Sequence, residues 1–348
     1  MNLNRKINHE AGFTLIEMLV VLAITSVIFA AIFWSLTFQQ MSAQRQTSLA
    51  DIYDNQRFGM DIIQRYIRIA GLNMNAQKFS SAILGLMNFQ PLSHEDAWSQ
   101  GTDRLTVSYI YDNDDCGPVD LSATMPRTSA ELKCETLNQC WIDKKGPPMI
   151  EFQALIIDPT ESYATLFVIT MIQTSDHIQH NTGTTSIGIQ NATNDLGYHY
   201  PKGSTILMIE RAEQQRFFID FVTDPGHPRL AMENLNTNVV VHLATDVEDL
   251  QFAFATDSND DNLIDDVNGN GTIDGGDYQT TVVDDDYIKA VRTSMCFRSR
   301  DWTTKVAQNV RPSIENHAGS STPDGFSRKT ISSRVSVRNL SPAYMGGF

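Results

Sequence analysis

The chain has 348 residues, of which 41% are hydrophobic and 19% charged, and a formal charge of −15 at neutral pH. That length allows one large domain or two. So acidic a surface repels nucleic acid, which argues against direct DNA or RNA binding.

The first twelve residues, MNLNRKINHEAG, are short and polar, with Arg5 and Lys6 as their fixed positive charges. Residues 13–38, FTLIEMLVVLAITSVIFAAIFWSLTF, are almost all apolar or small. The run exceeds the roughly 20 residues that cross a bilayer as a helix. Its one ionisable group is Glu17. A carboxylate deep in hydrocarbon costs about 2.5–3.5 kcal/mol on insertion scales, so it needs a partner or a purpose. Arg5 and Lys6 stay cytoplasmic by the positive-inside rule, which puts the bulk of the chain across the membrane. A secretory signal carries its small-residue cleavage site after the apolar region. Here the small-residue break, Ala11-Gly12, comes before it.

The run Gly12-Phe13-Thr14-Leu15-Ile16-Glu17-Met18-Leu19-Val20-Val21 resembles the processing region of type IV prepilins. The resemblance implies that a prepilin peptidase cuts between Gly12 and Phe13 and that Phe13 becomes an N-methylated terminus. It also implies that Glu17 pairs with the N-terminal amine of a neighbouring subunit in the filament.

The helix has no reason to stop at Phe38, because residues 39–69 hold no proline and a single glycine, Gly59. Leu49, Ile52, Met60, Ile63, Ile67 and Ala70 form an apolar stripe at helical spacing, broken near Gln56. Gly71 is the expected C-terminal stop. A helix over residues 13–70 is about 90 Å long at 1.5 Å per residue. Its first half belongs in lipid or a filament core, and its second half packs on a globular domain.

Beyond Gly71 the texture turns to short β-rich runs. Strands are expected at residues 105–111, 164–171, 205–209, 217–222, 238–243, 250–254, 288–297 and 330–337, separated by Gly, Pro, Asn and Asp clusters. Residues 112–148 and 175–197 are polar without an apolar period and read as long loops. No linker divides the rest, so the expected fold is α+β: a long N-terminal helix packed on one antiparallel β-sheet domain. The division is residues 1–12 as leader, 13–71 as helix and 72–348 as globular domain, with an acidic insert at 257–286.

The cysteines, Cys116, Cys134, Cys140 and Cys296, fall on the side of the membrane where disulfides persist. Four cysteines permit three pairings. Cys134 and Cys140 are near enough in sequence for a small local loop, leaving Cys116 and Cys296 for a longer closure. Zinc is the rival, but no C-x-x-C or nearby His pair completes a site.

Several later segments are similar, in order, to PilW-type minor pilins. They are Asp61-Ile62-Ile63-Gln64-Arg65-Tyr66 at the helix end, Pro201-Lys202-Gly203-Ser204-Thr205, Val247-Glu248-Asp249-Leu250-Gln251-Phe252, Ile288-Lys289-Ala290-Val291-Arg292, and Val335-Ser336-Val337-Arg338-Asn339-Leu340. The regions 112–148 and 175–197 depart from that pattern. The resemblance implies an inner-membrane precursor with its domain in the periplasm, which joins major and minor pilins in a surface pilus. A minor pseudopilin of a type II secretion system and a pilus-borne adhesin are the alternatives.

The acidic insert holds ten aspartates in thirty residues and no Lys or Arg. Within it, Asp266, Asn268, Asn270, Asp274 and Asp277 fill positions 1, 3, 5, 9 and 12 of a twelve-residue calcium loop. Gly271 stands at position 6, and Thr272 offers its carbonyl at 7. Asp at position 12 in place of Glu resembles dockerin-type loops. A weaker copy starts nine residues earlier with Asp257, Asn259, Asp261, Asp265 and the shared Asn268. So dense a negative charge disorders without a cation, so calcium is expected to order the region.

His177 and His180 have metal-ligand spacing on a helix, but their neighbours read as loop. His94-Glu95-Asp96 has no nucleophile motif with it, and Gly-x-Ser-x-Gly, P-loop and dinucleotide patterns are missing. The expected role is structural, not enzymatic.

Overall fold

The computed structural model describes residues 14–74, 78–86, 89–112, 116–143, 152–183, 189–259, 261, 263–281, 287–303 and 308–338. Contacts divide the chain into two units, Met1–Asp51 and Ile52–Phe348. The helix α1 (Leu15–Ile69) contributes to both.

In the first unit the apolar side chains of α1 point outward all round, and none of the most apolar window is covered by the described residues. Its hydroxyls are satisfied within the helix. Thr25 Oγ1 donates to the Val21 carbonyl, Ser26 Oγ to Ala23 and Thr37 Oγ1 to Phe33. A helix that pairs every polar group internally is what hydrocarbon demands.

In the second unit α1 buries Ile52, Gln56, Gly59, Met60, Ile63 and Ile67, which is the predicted stripe from Ile52 on with its gap filled, while Leu49 is only half-buried. Gln56 is buried because its Nε2 donates to the Lys329 carbonyl at 3.1 Å. Gly59 allows close approach: a Cβ there would meet Leu230 Cδ2 at 3.0 Å. Gly71, with φ of 71°, stops the helix one turn step after Ile69, and its N–H donates to the Ser108 carbonyl.

The strands are β1 (Lys78–Ser81), β2 (Leu92–Ser99), β3 (Thr102–Asp112), β4 (Val119–Asp120) and β5 (Glu131–Lys133). After the short helix α2 (Gln139–Asp143) come β6 (Phe152–Asp158), β7 (Tyr163–Ile169), β8 (Met171–Ile172), β9 (His177–Gln179) and β10 (Thr205–Asp220). The last five are β11 (Arg229–Asn234), β12 (Val239–Thr245), β13 (Val247–Asp257), β14 (Tyr287–Arg298) and β15 (Arg328–Ser336).

Among the described residues these strands make three sheets. The largest runs β1-β7-β6-β10-β11-β12, with β3 and β4 also on β10 and β2 on β3. The second is β13-β14-β15, and the third, β5-β9-β8, is small. Two expected strands, 205–209 and 217–222, are one strand, β10. It pairs with β6 and β4 through residues 205–209 and with β3 and β11 further on, after a bulge at Glu210. The architecture is α+β, as expected.

The expected long loops are corrected. Residues 112–148 contain β4, β5 and α2, and residues 175–197 contain β9. Their scattered apolar residues, Leu121, Met125, Leu132, Trp141 and Leu196, bury against Ile156, Phe167 and Met208 in a core of their own. Strands of two or three residues are too short to show a period, so burial had no pattern to announce it. On a different cluster, Met74, Phe79, Ile83 and Phe89 pack with Leu155, Leu166 and Ile209.

Candidate functional site

The N-terminal candidates meet the structure at Thr14. Thr14 N and Oγ1 both donate to Glu17 Oε2 at 2.8 Å, and Glu17 N donates back to Thr14 Oγ1. This is a reciprocal cap on the first turn, and it gives the carboxylate a partner within its own chain. Gly12 and Phe13, the expected cleavage pair, lie outside the described residues.

The acidic insert leaves β13 and returns to β14. Its side chains turn inward at the expected positions. Asp266 accepts from the backbone of Asn270 (3.1 Å) and Gly271 (2.6 Å). Asn268 Oδ1 accepts from Asn270 N, and Asn270 Oδ1 accepts from Thr272 N and Oγ1. The Asn268 and Asn270 amides donate to the two oxygens of Asp274. Asp277, on the short 3-10 turn Gly275–Asp277, is 1% exposed and accepts from Asn268 N and Asp274 N. The Gly276 N–H, then the Asn270 amide, hold the Asp274 carboxyl below the usual carboxylate range.

The earlier copy repeats the turn of the later one, with Asp261 N donating to Asp257 and Asn259 and Leu263 N donating to Asp261 at 2.8 Å. Its first carboxylate is already paired: Asp257 is fully buried and its Oδ2 lies 3.0 Å from Lys289 Nζ. Asp265 accepts from Ser258. Among the described residues no three His, Cys, Asp or Glu side chains gather to hold a metal. Half of the expected donors of the loop starting at Asp266 are carboxylates, Asp266, Asp274 and Asp277, and they do not gather.

Sequence reasoning missed what holds this insert. The guanidinium groups of Arg292 and Arg334 lie 4.8 Å and 5.0 Å from the centre of the Tyr278 ring. Arg292 Nη1 also donates to the Gly275 carbonyl, and Phe254 and Gln279 exchange two backbone hydrogen bonds. Register places Arg292 opposite Arg334 on neighbouring strands. Nothing in sequence spacing links residue 278 to residue 334.

The cysteine expectation is corrected. Cys116 bonds Cys140, with Cα atoms 5.1 Å apart, while Cys134 and Cys296 are free and buried. Cys134 follows β5, where its N–H donates to the Asp176 carbonyl. That fixes its strand against β9, away from the pairing that sequence proximity suggested. Burial pushes both free thiols up to about 12.

The histidine candidates do not assemble a metal or catalytic centre. His177 sits among carboxylates, Nε2 3.1 Å from Glu131 and Nδ1 2.8 Å from Asp176. His180 is fully buried beside Phe167, and burial lowers its pKa to about 4. His94, Glu95 and Asp96 diverge: His94 faces Asp103, Glu95 pairs Arg104, and Asp96 accepts from Asn316.

Residues 7–33 match the prokaryotic N-terminal methylation motif, and residues 216–339 match the type IV pilus-assembly protein W family. No curated protein matches the chain. Among solved structures a type IV-like pilin from Thermus thermophilus is similar over 83% of this chain and 98% of its own, at 9% identity and a TM-score of 0.32. The methylation motif at the head of an exposed apolar helix points to a type IV pilin. With the second match, which runs from the end of β10 to β15 and spans about a third of the chain, the comparisons support a PilW-like type IV minor pilin.

Proposed function

We propose that this minor pilin acts at pilus initiation, as a structural subunit and not as an enzyme. Before assembly, residues 13–38 hold it in the inner membrane with the globular domain on the periplasmic side. Prepilin peptidase cuts between Gly12 and Phe13, and the helix then leaves the bilayer to join other major and minor pilins in a surface filament. The observation that carries this reading is the apolar length of α1, uncovered by the described residues and interrupted only by Glu17. In the free subunit Thr14 satisfies that carboxylate. In the filament the N-terminal amine of a neighbour replaces it, a charge pair that sets register in low dielectric.

The test is the pilus count per cell, by electron microscopy, after deletion of the gene. Loss of pili, restored by the wild-type copy, supports the reading. Normal pili reject it in favour of a secretion pseudopilin or a carried adhesin. Glu17→Ala is expected to abolish incorporation; unchanged incorporation rejects the role of Glu17.

We also propose that residues 266–277 take up one structural calcium ion. Asp266, Asn268, Asn270, Asp274, Asp277 and the Thr272 carbonyl are its ligands, with affinity in the range of extracellular modules, about 10⁻⁴–10⁻³ M. The inward-turned oxygens and the buried Asp277 support this. The copy at Asp257, Asn259, Asp261 and Asp265 already has a cation in Lys289, so it takes calcium more weakly. Calorimetry on the full chain is expected to show heat at millimolar calcium, lost in Asp277→Ala. No heat from the wild type rejects calcium.

A further inference from the structure

Asn268-Gly269 and Asn270-Gly271 are the two Asn-Gly pairs of the chain, side by side in the acidic insert. In such a pair the glycine nitrogen lacks the shielding of a following side chain, and it can attack the asparagine side-chain carbon. The five-membered imide that forms opens with water to aspartate or isoaspartate. The two pairs are held differently, and the difference concerns the reacting atoms.

At the second pair, the attacking group is already hydrogen-bonded to a base. Gly271 N donates to Asp266 Oδ2 at 2.6 Å. The oxygen that gathers charge during attack is Asn270 Oδ1, and it accepts from Thr272 N (2.8 Å) and Thr272 Oγ1 (2.7 Å). Two donors aimed at a developing oxyanion lower the barrier to its formation. The departing amide, Asn270 Nδ2, is bonded to Asp274 Oδ2 at 2.8 Å. Both Asn270 and Gly271 are exposed, so water reaches the imide. At the first pair, Asn268 Oδ1 accepts from Asn270 N alone among the described contacts.

We infer that Asn270 is a self-modification site of the folded protein, deamidating through attack by Gly271 N. In the first step the Gly271 N–Cγ bond forms as its proton passes to Asp266. The Cγ–Nδ2 bond then breaks, and the proton returns through solvent to the leaving nitrogen, which departs as ammonia. Water next adds across one of the two imide C–N bonds. No electron transfer is involved. The aspartyl product puts a carboxylate at position 5 of the loop, a harder ligand for a divalent cation. The isoaspartyl product lengthens the backbone by one carbon and breaks the loop's register. The insert therefore carries a clock that divides the population into two forms.

The experiment holds the full chain at mildly alkaline pH in a chelator and maps the insert by mass spectrometry with isoaspartyl methyltransferase labelling. Position 270 is expected to deamidate ahead of position 268 and to yield both isomers. Gly271→Ala crowds the attacking nitrogen and is expected to slow the reaction roughly tenfold, equivalent to about 1.4 kcal/mol in the barrier. Because alanine strains the φ of 81° at this position, Asp266→Asn is the second variant, removing the base while keeping its shape, and it too slows the reaction. An intact Asn270, or deamidation as fast at Asn268, overturns the inference. One arm rests on the calcium reading: added calcium engages Asp266, Asn270 and Asp274 and slows the loss of amide. Deamidation at 270 that ignores calcium upholds the modification and rejects the calcium site.

Discussion

Asp103 is the residue whose removal tests the second unit most directly. Its carboxylate is fully buried on β3, and Oδ1 accepts from Ala97 N at 3.1 Å while Oδ2 accepts from Phe252 N at 2.8 Å. His94 Nε2 lies 3.0 Å from Oδ2. Two of the partners, His94 and Ala97, lie on β2 and the third, Phe252, on β13, so one side chain joins the largest sheet to the second. Asp103→Ala leaves the buried Phe252 N–H unpaired, while the N–H of exposed Ala97 turns to water, so about 1–3 kcal/mol is lost. Asp103→Asn keeps one acceptor and loses about half of that. Thermal melts of the full chain read the effect, with about 2–4 °C expected per kcal/mol for a large domain. An alanine variant melting within a degree of wild type, or an asparagine variant melting below it, refutes the reasoning.

Further predictions concern burial and covalent closure. His180 is neutral in the folded state because burial lowers its pKa to about 4, against about 6.5 unfolded. Its contribution is whole above pH 6.5 and drains away as pH falls toward 4, by about 3 kcal/mol in all. His180→Phe is expected to flatten that slope in pH-dependent melts, and an unchanged slope rejects the assignment. The Cys116–Cys140 bond closes a separation of 24 residues, and Cys116→Ser is expected to cost about 3 kcal/mol. Thiol labelling of the native protein is expected to spare Cys134 and Cys296 until unfolding. Gly59→Val places methyls where Leu230 Cδ2 stands 3.0 Å from an ideal Cβ, and overpacking of about 1–3 kcal/mol lowers the melting temperature.

The parts of this fold legible in the sequence are those with a long period. Ile52, Met60, Ile63 and Ile67 recur at helical spacing, and they are the residues α1 buries. The apolar runs at 288–297 and 330–337 gave β14 and β15 nearly to the residue. Gln56 broke the stripe on paper because its partner, the Lys329 carbonyl, is remote in sequence. The same holds for Arg292 and Arg334 around Tyr278, and for Lys289 against Asp257. Composition marks the acidic loop, but only strand register brings the arginines and the lysine to it. The disulfide failed for a related reason: sequence distance ranks Cys134 with Cys140, while pairing of β5 with β9 removes Cys134 from reach.

The bulge at Glu210 divides β10 in a way that alternation does not. Ile206 and Met208 face one core while Ile209 joins the other, so this end of the strand is apolar on both sides. A slip of one residue there would exchange one buried set for another at little hydrophobic cost, because the pattern itself carries no preference. Register is imposed instead by the extra residue, which resets the pairing with β3 between Ile209 and Arg211. Swaps among the four apolar residues before the bulge leave the strand in place. A single insertion or deletion at 210 would exchange the apolar residues between the two cores while leaving the composition of the strand almost unchanged.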